Sequence, residues 1–338
     1  MLMARVCSLA SLGGFGQRWA AAAPPANQYG RRRRESWSSV PSSRQPPARH
    51  TWHAAAAAGE AAGVQPEVQP RLPLAERPPE HSAPLQSVLA WRQAALEAVA
   101  AVGDSWAAAD GGPSGADLQT ELSWLLDDAV AGVSSGSGGS GGDGGWQNAT
   151  WRALERDAAS GPDSGGGDGR RLVRLREPLP ALEALWRERL ERRTPLQYLT
   201  SAAYWRDVVL SVGPGVLIPR PETELVLDFV AEAVAAAPGL SRGTWVDLGT
   251  GSGALAVGLA RAMPAVPRVW AVDLSPVPAA YAAYNAARLG VGGRVATALG
   301  SWYEPLRALG VAQVAGIVSN PPYIAAPVLP GLQVEVGR

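Results

Sequence analysis

The chain has 338 residues, room for one large domain or two small ones, and its 30 Lys+Arg balance 30 Asp+Glu to a net charge of zero. That balance argues against a strongly basic nucleic-acid binder, and a single cysteine, Cys7, excludes an intrachain disulfide. The histidines His50, His53 and His81 all sit near the N-terminus in low-complexity surroundings, so no metal site is expected, and no apolar run approaches the roughly 20 residues that a membrane helix needs.

Residues 1–80 do not read as a fold. Ala, Arg, Ser and Pro dominate, Arg31 to Arg34 form a basic run, and Glu35 is the only acid before Glu60. An Arg- and Ser-rich, acid-poor leader has the composition of an organelle transit peptide, with a plain disordered tail as the alternative. From Leu85 a helical rhythm begins: Leu85, Val88, Leu89, Leu96 and Val99 fall near one face of "LQSVLAWRQAALEAVAAV". Residues 116–133 repeat it with Leu118, Leu122, Leu125 and Leu126, and 177–193 form a third helix with Pro near its start and Arg near its end. Between them lie "SSGSGGSGGDGG" and "SGPDSGGGDG", both flexible-linker compositions. The spacing predicts a small helical domain over 85–200 with a disordered insertion at about 133–170.

At Tyr204 the period changes. "YWRDVVLSV" and "VLIP" predict a β-hairpin turning at Gly213-Pro214-Gly215, and 221–237 predict a strong helix with Pro221 and Glu222 in its first turn. Buried-type strands then alternate with helices to the end of the chain, which predicts an α/β domain over 204–338 with a parallel sheet covered on both faces.

"VDLGTGSGAL" closes the first of those strands. Gly249, Gly251 and Gly253 put no side chain between the turn and a ligand, and the following helix offers unpaired N–H groups. Asp273 closes the next strand, where a carboxylate can accept both hydroxyls of a ribose. A nicotinamide dinucleotide normally uses G-x-G-x-x-G, whereas this spacing is G-x-G-x-G with Asp247 two residues ahead of it. A carboxylate there repels a pyrophosphate but suits an ammonium, directly or through water. S-adenosylmethionine (AdoMet) carries an ammonium, a carboxylate and a ribose, and is the cofactor these residues favour. Gly-rich turns also serve packing alone.

The fourth strand runs into Asn320, Pro321, Pro322 and Tyr323. Prolines end a strand, but ending one requires neither the Asn nor the Tyr. In an open parallel sheet the carboxyl ends of the strands share one rim, so the glycine loop, Asp273 and Asn320 should lie together. The Asn320 side-chain carbonyl and the Pro321 backbone carbonyl are two acceptors for the hydrogens of a planar –NH2 group, and the Tyr323 ring can pack on its face. Such a site suits methyl transfer to nitrogen by positioning and electrostatics, without metal or nucleophile.

With these residues in view, the chain resembles the HemK/PrmC-type protein-(glutamine-N5) methyltransferases. "TPLQYL" (194–199), "VLIPRPETELV" (216–226), "DLGTGSGALAV" (247–257), "VDLSP" (272–276), "GSWYEPL" (300–306) and "NPPYI" (320–324) occur in family order. The resemblance implies a Rossmann-like, AdoMet-dependent methyltransferase domain. Its substrate would be the glutamine of the Gly-Gly-Gln motif in a class I peptide chain release factor, docked partly by the preceding helical domain. It further implies AdoMet contacts from Asp247, Gly249, Thr250, Gly251, Ser252, Gly253, Asp273, Trp302 and Asn320, with Trp302 near the adenine. Asn320, Pro321, Pro322 and Tyr323 would hold the glutamine amide, and Arg220 and Glu222 would orient the docking loop. A monomer without direct nucleic-acid or membrane partners, working in an organelle (a plastid rather than a mitochondrion), completes the expectation.

The chain departs from the family pattern at Ser201, where a turn glycine is usual. It also stops at Arg338, where the family continues with further strands, so an incomplete sheet is expected. Two other readings use the same residues: a methyltransferase acting on an exocyclic amine of a nucleic-acid base, and an inactive remnant that binds a partner through 85–200.

Overall fold

The computed structural model describes residues 69–134, 145–159, 171–321 and 333, and all of them lie in one compact unit. The first part contains strand β1 (His81–Pro84), helices α1 (Leu85–Val102), α2 (Ser105–Asp110) and α3 (Gly115–Ala129), strands β2 (Val130–Ser134) and β3 (Trp146–Gln147), helix α4 (Trp151–Ala159), strand β4 (Leu172–Leu175), and helices α5 (Leu179–Arg192) and α6 (Leu196–Thr200). The predicted helices are present for the predicted reason. Val88 and Val99 of α1 pack against Leu118, Leu122, Leu125 and Leu126 of α3 and Leu182 and Trp186 of α5 in one core. A capping box starts α3: the Ser114 Oγ accepts from the Asp117 N–H at 3.2 Å and the Asp117 carboxylate accepts from the Ser114 N–H at 2.9 Å.

Three features of this part differ from the sequence reading. It is not only helical: β1, β4, β2 and β3, in that order, form an antiparallel sheet. The helix expected over 116–133 ends at Ala129, and Val130 to Ser134 extend into that sheet, where β-branched Val130 and Val133 are buried. Part of the expected insertion is also ordered. Between two Gly-rich stretches, which lie outside the described residues, α4 carries Trp151 and Leu154 into the core, with Trp151 at 0% exposure. An indole buries enough apolar surface to anchor a short helix. Similarly, the tail reading of 1–80 fails over 69–80: Leu74 is fully buried and Arg77 pairs with Glu177 at 2.6 Å. Residues 1–68 lie outside the described residues.

The second part begins with the hairpin β5 (Ala203–Trp205) and β6 (Val208–Leu210), followed by helix α7 (Glu224–Ala236). The hairpin turns at Arg206-Asp207, earlier than the Gly-Pro-Gly expected to turn it, with Arg206 in the left-handed region at φ 49°. The Gly213–Gly215 segment instead makes a separate turn after β6, closed by Val216 N–H to Gly213 O at 3.1 Å. Then come β7 (Trp245–Leu248), α8 (Ala254–Ala262), β8 (Val269–Asp273), α9 (Pro276–Arg288), β9 (Val295–Leu299), α10 (Glu304–Ala308) and β10 (Gly316–Ser319). The four strands are parallel in the order β10-β7-β8-β9. Alternate residues serve opposite faces. Trp245, Val269, Ala271 and Val318 pack with α7, α8 and α9, whereas Val246, Leu248, Val272 and Ile317 meet Leu306 of α10.

Candidate active site

Parallel pairing brings the carboxyl ends of β10, β7 and β8 side by side. Ser319 is in register with Leu248, Leu248 with Val272, and the Ser319 Oγ donates to the Leu248 carbonyl at 2.7 Å. The loops that leave these three strands therefore meet at one rim. They carry the glycine turn, Asp273 and Asn320.

Gly249, Gly251 and Gly253 all take positive φ, at 72°, 56° and 82°. The Gly249 and Thr250 N–H groups both donate to Val272 O, at 2.9 and 3.0 Å, and Gly253 N–H closes the turn on Thr250 O at 2.8 Å. Gly253 must be glycine for a second reason: a Cβ there would lie 2.9 Å from the Ala282 Cα, so α9 packs directly on the turn. At Gly251 a Cβ would meet nothing within 4 Å, and at Gly249 only the Pro321 Cα at 4.0 Å. The turn thus opens at Gly251 and borders the Asn320-Pro321 segment at Gly249.

Asp247 is 1% exposed. One oxygen accepts from the Thr250 Oγ at 2.6 Å and from the Ala256 N–H at 3.1 Å, bracing the turn against the first turn of α8. The other oxygen is buried and has no partner among the described residues. Burial pushes the carboxyl up to about 7, against the opposing pull of those two hydrogen bonds. Asp273 is half-buried. Its oxygens accept from the Gly251 N–H and the Ser275 N–H, each at 3.0 Å, and a carboxylate oxygen that accepts one hydrogen bond can accept another. Thr250 and Ser252 are buried and shape the turn through Asp247 and through Asn285. Trp302 is 59% exposed on the loop after β9, at φ 47°, so it is not a core aromatic. That loop is tied to the rim by Gly300 N–H to Asp273 O at 2.9 Å.

Asn320 is half-buried and donates its side-chain amide to the Thr223 Oγ at 3.0 Å. Pro321 follows beside the glycine turn, while Pro322 and Tyr323 lie outside the described residues. Arg220 and Glu222 are both exposed.

Two residues of this site escaped sequence reasoning. Thr223 was passed over as part of a helix start. Asn285, on α9, is fully buried with every polar atom used: its amide donates to Ser211 O and Ser252 O, both at 2.9 Å, and its carbonyl accepts from Ser211 N–H at 2.7 Å. It ties the hairpin exit to the glycine turn. An Asn on an otherwise Ala-rich helix, "AAYNAAR", was the available signal.

The residues present fit AdoMet. The turn leaves open space at Gly251, the Asp247 oxygen without a partner is an acceptor for an ammonium, and Asp273 offers lone pairs to a ribose.

Sheet order, glycine turn and rim define a Rossmann-like fold. No family model matches the chain. Among curated proteins, it is 48% identical over 164 residues to a protein of Thermosynechococcus vestitus named release factor glutamine methyltransferase, covering 48% of this chain and 55% of that one. Proteins of the same name from Synechocystis sp. and Gloeobacter violaceus match at 47% over 167 residues and 44% over 155, covering 49% and 46% of this chain and 55% and 52% of theirs. The chain spans about half the length of the curated relatives it matches. Among solved structures, a precorrin 8w decarboxylase of Methanobacterium thermoautotrophicum aligns at 25% identity and a TM-score of 0.24, over 29% of this chain and 49% of that one.

Proposed function

We propose that this chain transfers a methyl group from AdoMet to the side-chain amide nitrogen of the glutamine in the Gly-Gly-Gln motif of a class I peptide chain release factor. The observation that carries this reading is the adjacency of the Asn320-Pro321 segment to the Gly249–Gly253 turn across the β10–β7 pair. The names of relatives at 44–48% identity support the substrate class.

AdoMet, when bound, supplies an electrophilic methyl group on a sulfonium. The glycine turn and Asp273 would hold it, and the second oxygen of Asp247 would accept from its ammonium. The Asn320 carbonyl and the Pro321 carbonyl accept the two hydrogens of the glutamine –NH2. An amide nitrogen is a poor nucleophile because its lone pair is delocalised. Two fixed acceptors would favour the positive charge that grows on it during methyl transfer; the thioether S-adenosylhomocysteine would be the leaving group, and the nitrogen's proton would pass to solvent water. Trp302, exposed on the loop after β9, would cover the adenine; the amide-packing role expected of Tyr323 falls on a residue outside the described ones. Arg220 and Glu222, exposed just before α7, orient the docked loop, and the module over 85–200 contributes to docking. The chain acts as a monomer in an organelle, as its leader composition supports, and the family resemblance favours a plastid over a mitochondrion.

Tritiated AdoMet tests the reading. Label should pass to a release factor and not to ribosomal RNA or DNA; label on nucleic acid would instead favour the base-amine reading. Calorimetry without substrate separates both from a remnant, which need not bind AdoMet.

A further inference from the structure

An asparagine amide has two ends of nearly equal size and opposite hydrogen-bonding character. A half-turn about its last torsion replaces an acceptor by two donors. A site that needs the acceptor therefore needs something that holds the other end. In this fold that partner comes from far away in sequence: the Asn320 amide nitrogen donates to the Oγ of Thr223, 97 residues earlier, at 3.0 Å. Among the described residues, the Asn320 carbonyl oxygen has no partner and remains available.

Thr223 is well suited to fix an orientation. It is 4% exposed, it ends the single helical turn Pro221–Thr223, and its N–H bonds to Arg220 O at 3.1 Å. Pro221 restricts the backbone ahead of it, and a β-branched side chain has little freedom about its first torsion. The contact also gives the "IPRPETE" stretch a role beyond starting α7.

We infer that Thr223 is a positioning residue: its hydroxyl anchors the Asn320 side chain at the rim, so that the amide is held toward the substrate nitrogen, whose own donors select the carbonyl end. The inference rests on the methyl-transfer reading given above. Loss of the hydroxyl frees the Asn320 side chain, misplaces its acceptor, and lowers turnover more than it lowers affinity for AdoMet.

The test compares Thr223→Val, which keeps shape and removes the hydroxyl, with Thr223→Ser, which keeps the hydroxyl, in the full chain. With a release factor as substrate, kcat falls by about ten- to a hundredfold in Thr223→Val, as for other small misplacements of reacting groups, while AdoMet affinity stays within about twofold. Thr223→Ser restores kcat to within a few-fold of the parent. A Thr223→Val variant as fast as the parent, or a Thr223→Ser variant as slow as Thr223→Val, overturns the inference. A second readout is independent of activity: the Asn320 side-chain amide protons, followed by nitrogen-15 NMR, exchange more slowly in the parent and in Thr223→Ser than in Thr223→Val. Equal exchange in all three overturns the inference even if the parent methylates nothing, a result that by itself would remove the functional reading and leave the contact standing.

Discussion

The Ser319 hydroxyl donates to the Leu248 carbonyl at 2.7 Å, fastening the last residue of β10 to the last residue of β7. Everything proposed for the site depends on this juxtaposition, because the next residues are Asn320-Pro321 on one strand and the glycine turn on the other. Neighbouring strands lie about 4.8 Å apart, so groups that leave the two ends can reach one methyl transfer between them.

The glycine turn separates two effects that a single substitution would confuse. Gly253→Ala combines φ 82° with a methyl 2.9 Å from the Ala282 Cα, a contact with backbone that cannot swing away. It should cost about 3 kcal/mol of stability and abolish AdoMet binding with it. Gly251→Ala meets nothing within 4 Å. It should cost only about 1 kcal/mol, yet weaken AdoMet by tenfold or more, because its methyl occupies ligand space. Urea denaturation beside calorimetry distinguishes the two.

Asn285 makes three buried hydrogen bonds that join Ser211 to Ser252. Asn285→Ala leaves one N–H and two carbonyls unpaired in a site closed to water, and should lower unfolding stability by about 3 kcal/mol. Chemical denaturation measures it. A loss under about 0.5 kcal/mol, the scale of an ordinary surface substitution, would show that water replaces the amide.

Asp247 sets a pH dependence with a definite sign. Its carboxyl titrates at about 7 in the fold against 3.8 in a model peptide, so the folded chain holds a proton that the unfolded chain has released. The stability this group contributes is greatest below pH 4, falls as pH rises toward 7, and is flat above. Asp247→Asn should flatten that slope in thermal unfolding. An AdoMet ammonium beside the carboxylate would pull the group back toward ionisation. AdoMet binding at pH 6.5 should therefore release a proton, read by calorimetry in two buffers of different ionisation enthalpy. No proton release would remove Asp247 from the cofactor's contacts.

Ser201 sits at φ 54° in the left-handed C-cap of α6, where its N–H reaches Tyr198 O at 3.4 Å and the Ala202 N–H reaches Gln197 O at 2.9 Å. The turn keeps its shape although a serine occupies it. Ser201→Gly should raise stability by about 0.5 kcal/mol, the left-handed penalty less the chain entropy that glycine adds. A lower melting temperature would mean that the Ser201 hydroxyl, 3.5 Å from the Arg77 guanidinium, contributes more than the strain.

The parallel sheet and its rim were legible because each strand is a short apolar run between helical rhythms, and because parallel strands send their carboxyl ends to one side. The glycine turn, Asp273 and Asn320 followed from that geometry. The antiparallel sheet was not legible: β1 is "HSAP", β3 is two residues long, and β4 follows a Gly-rich stretch, so none carries a periodic signal. The hairpin turn was misplaced because Gly-Pro-Gly is a stronger local signal than Arg206-Asp207, and pairing between Trp205 and Val208 decided it. Thr223–Asn320 and Asn285–Ser252 are contacts across 97 and 33 residues, and nothing local encodes a partner so distant.

The most direct measurement is single-turnover methyl transfer by Asn320→Ala at saturating AdoMet, with a release factor as substrate and with circular dichroism to verify the fold. Removing one preorganised acceptor from the substrate nitrogen should slow the transfer by about a hundredfold or more, with the spectrum unchanged. Transfer at the parent's rate would contradict the account, because the segment after β10 would then have no part in the chemistry.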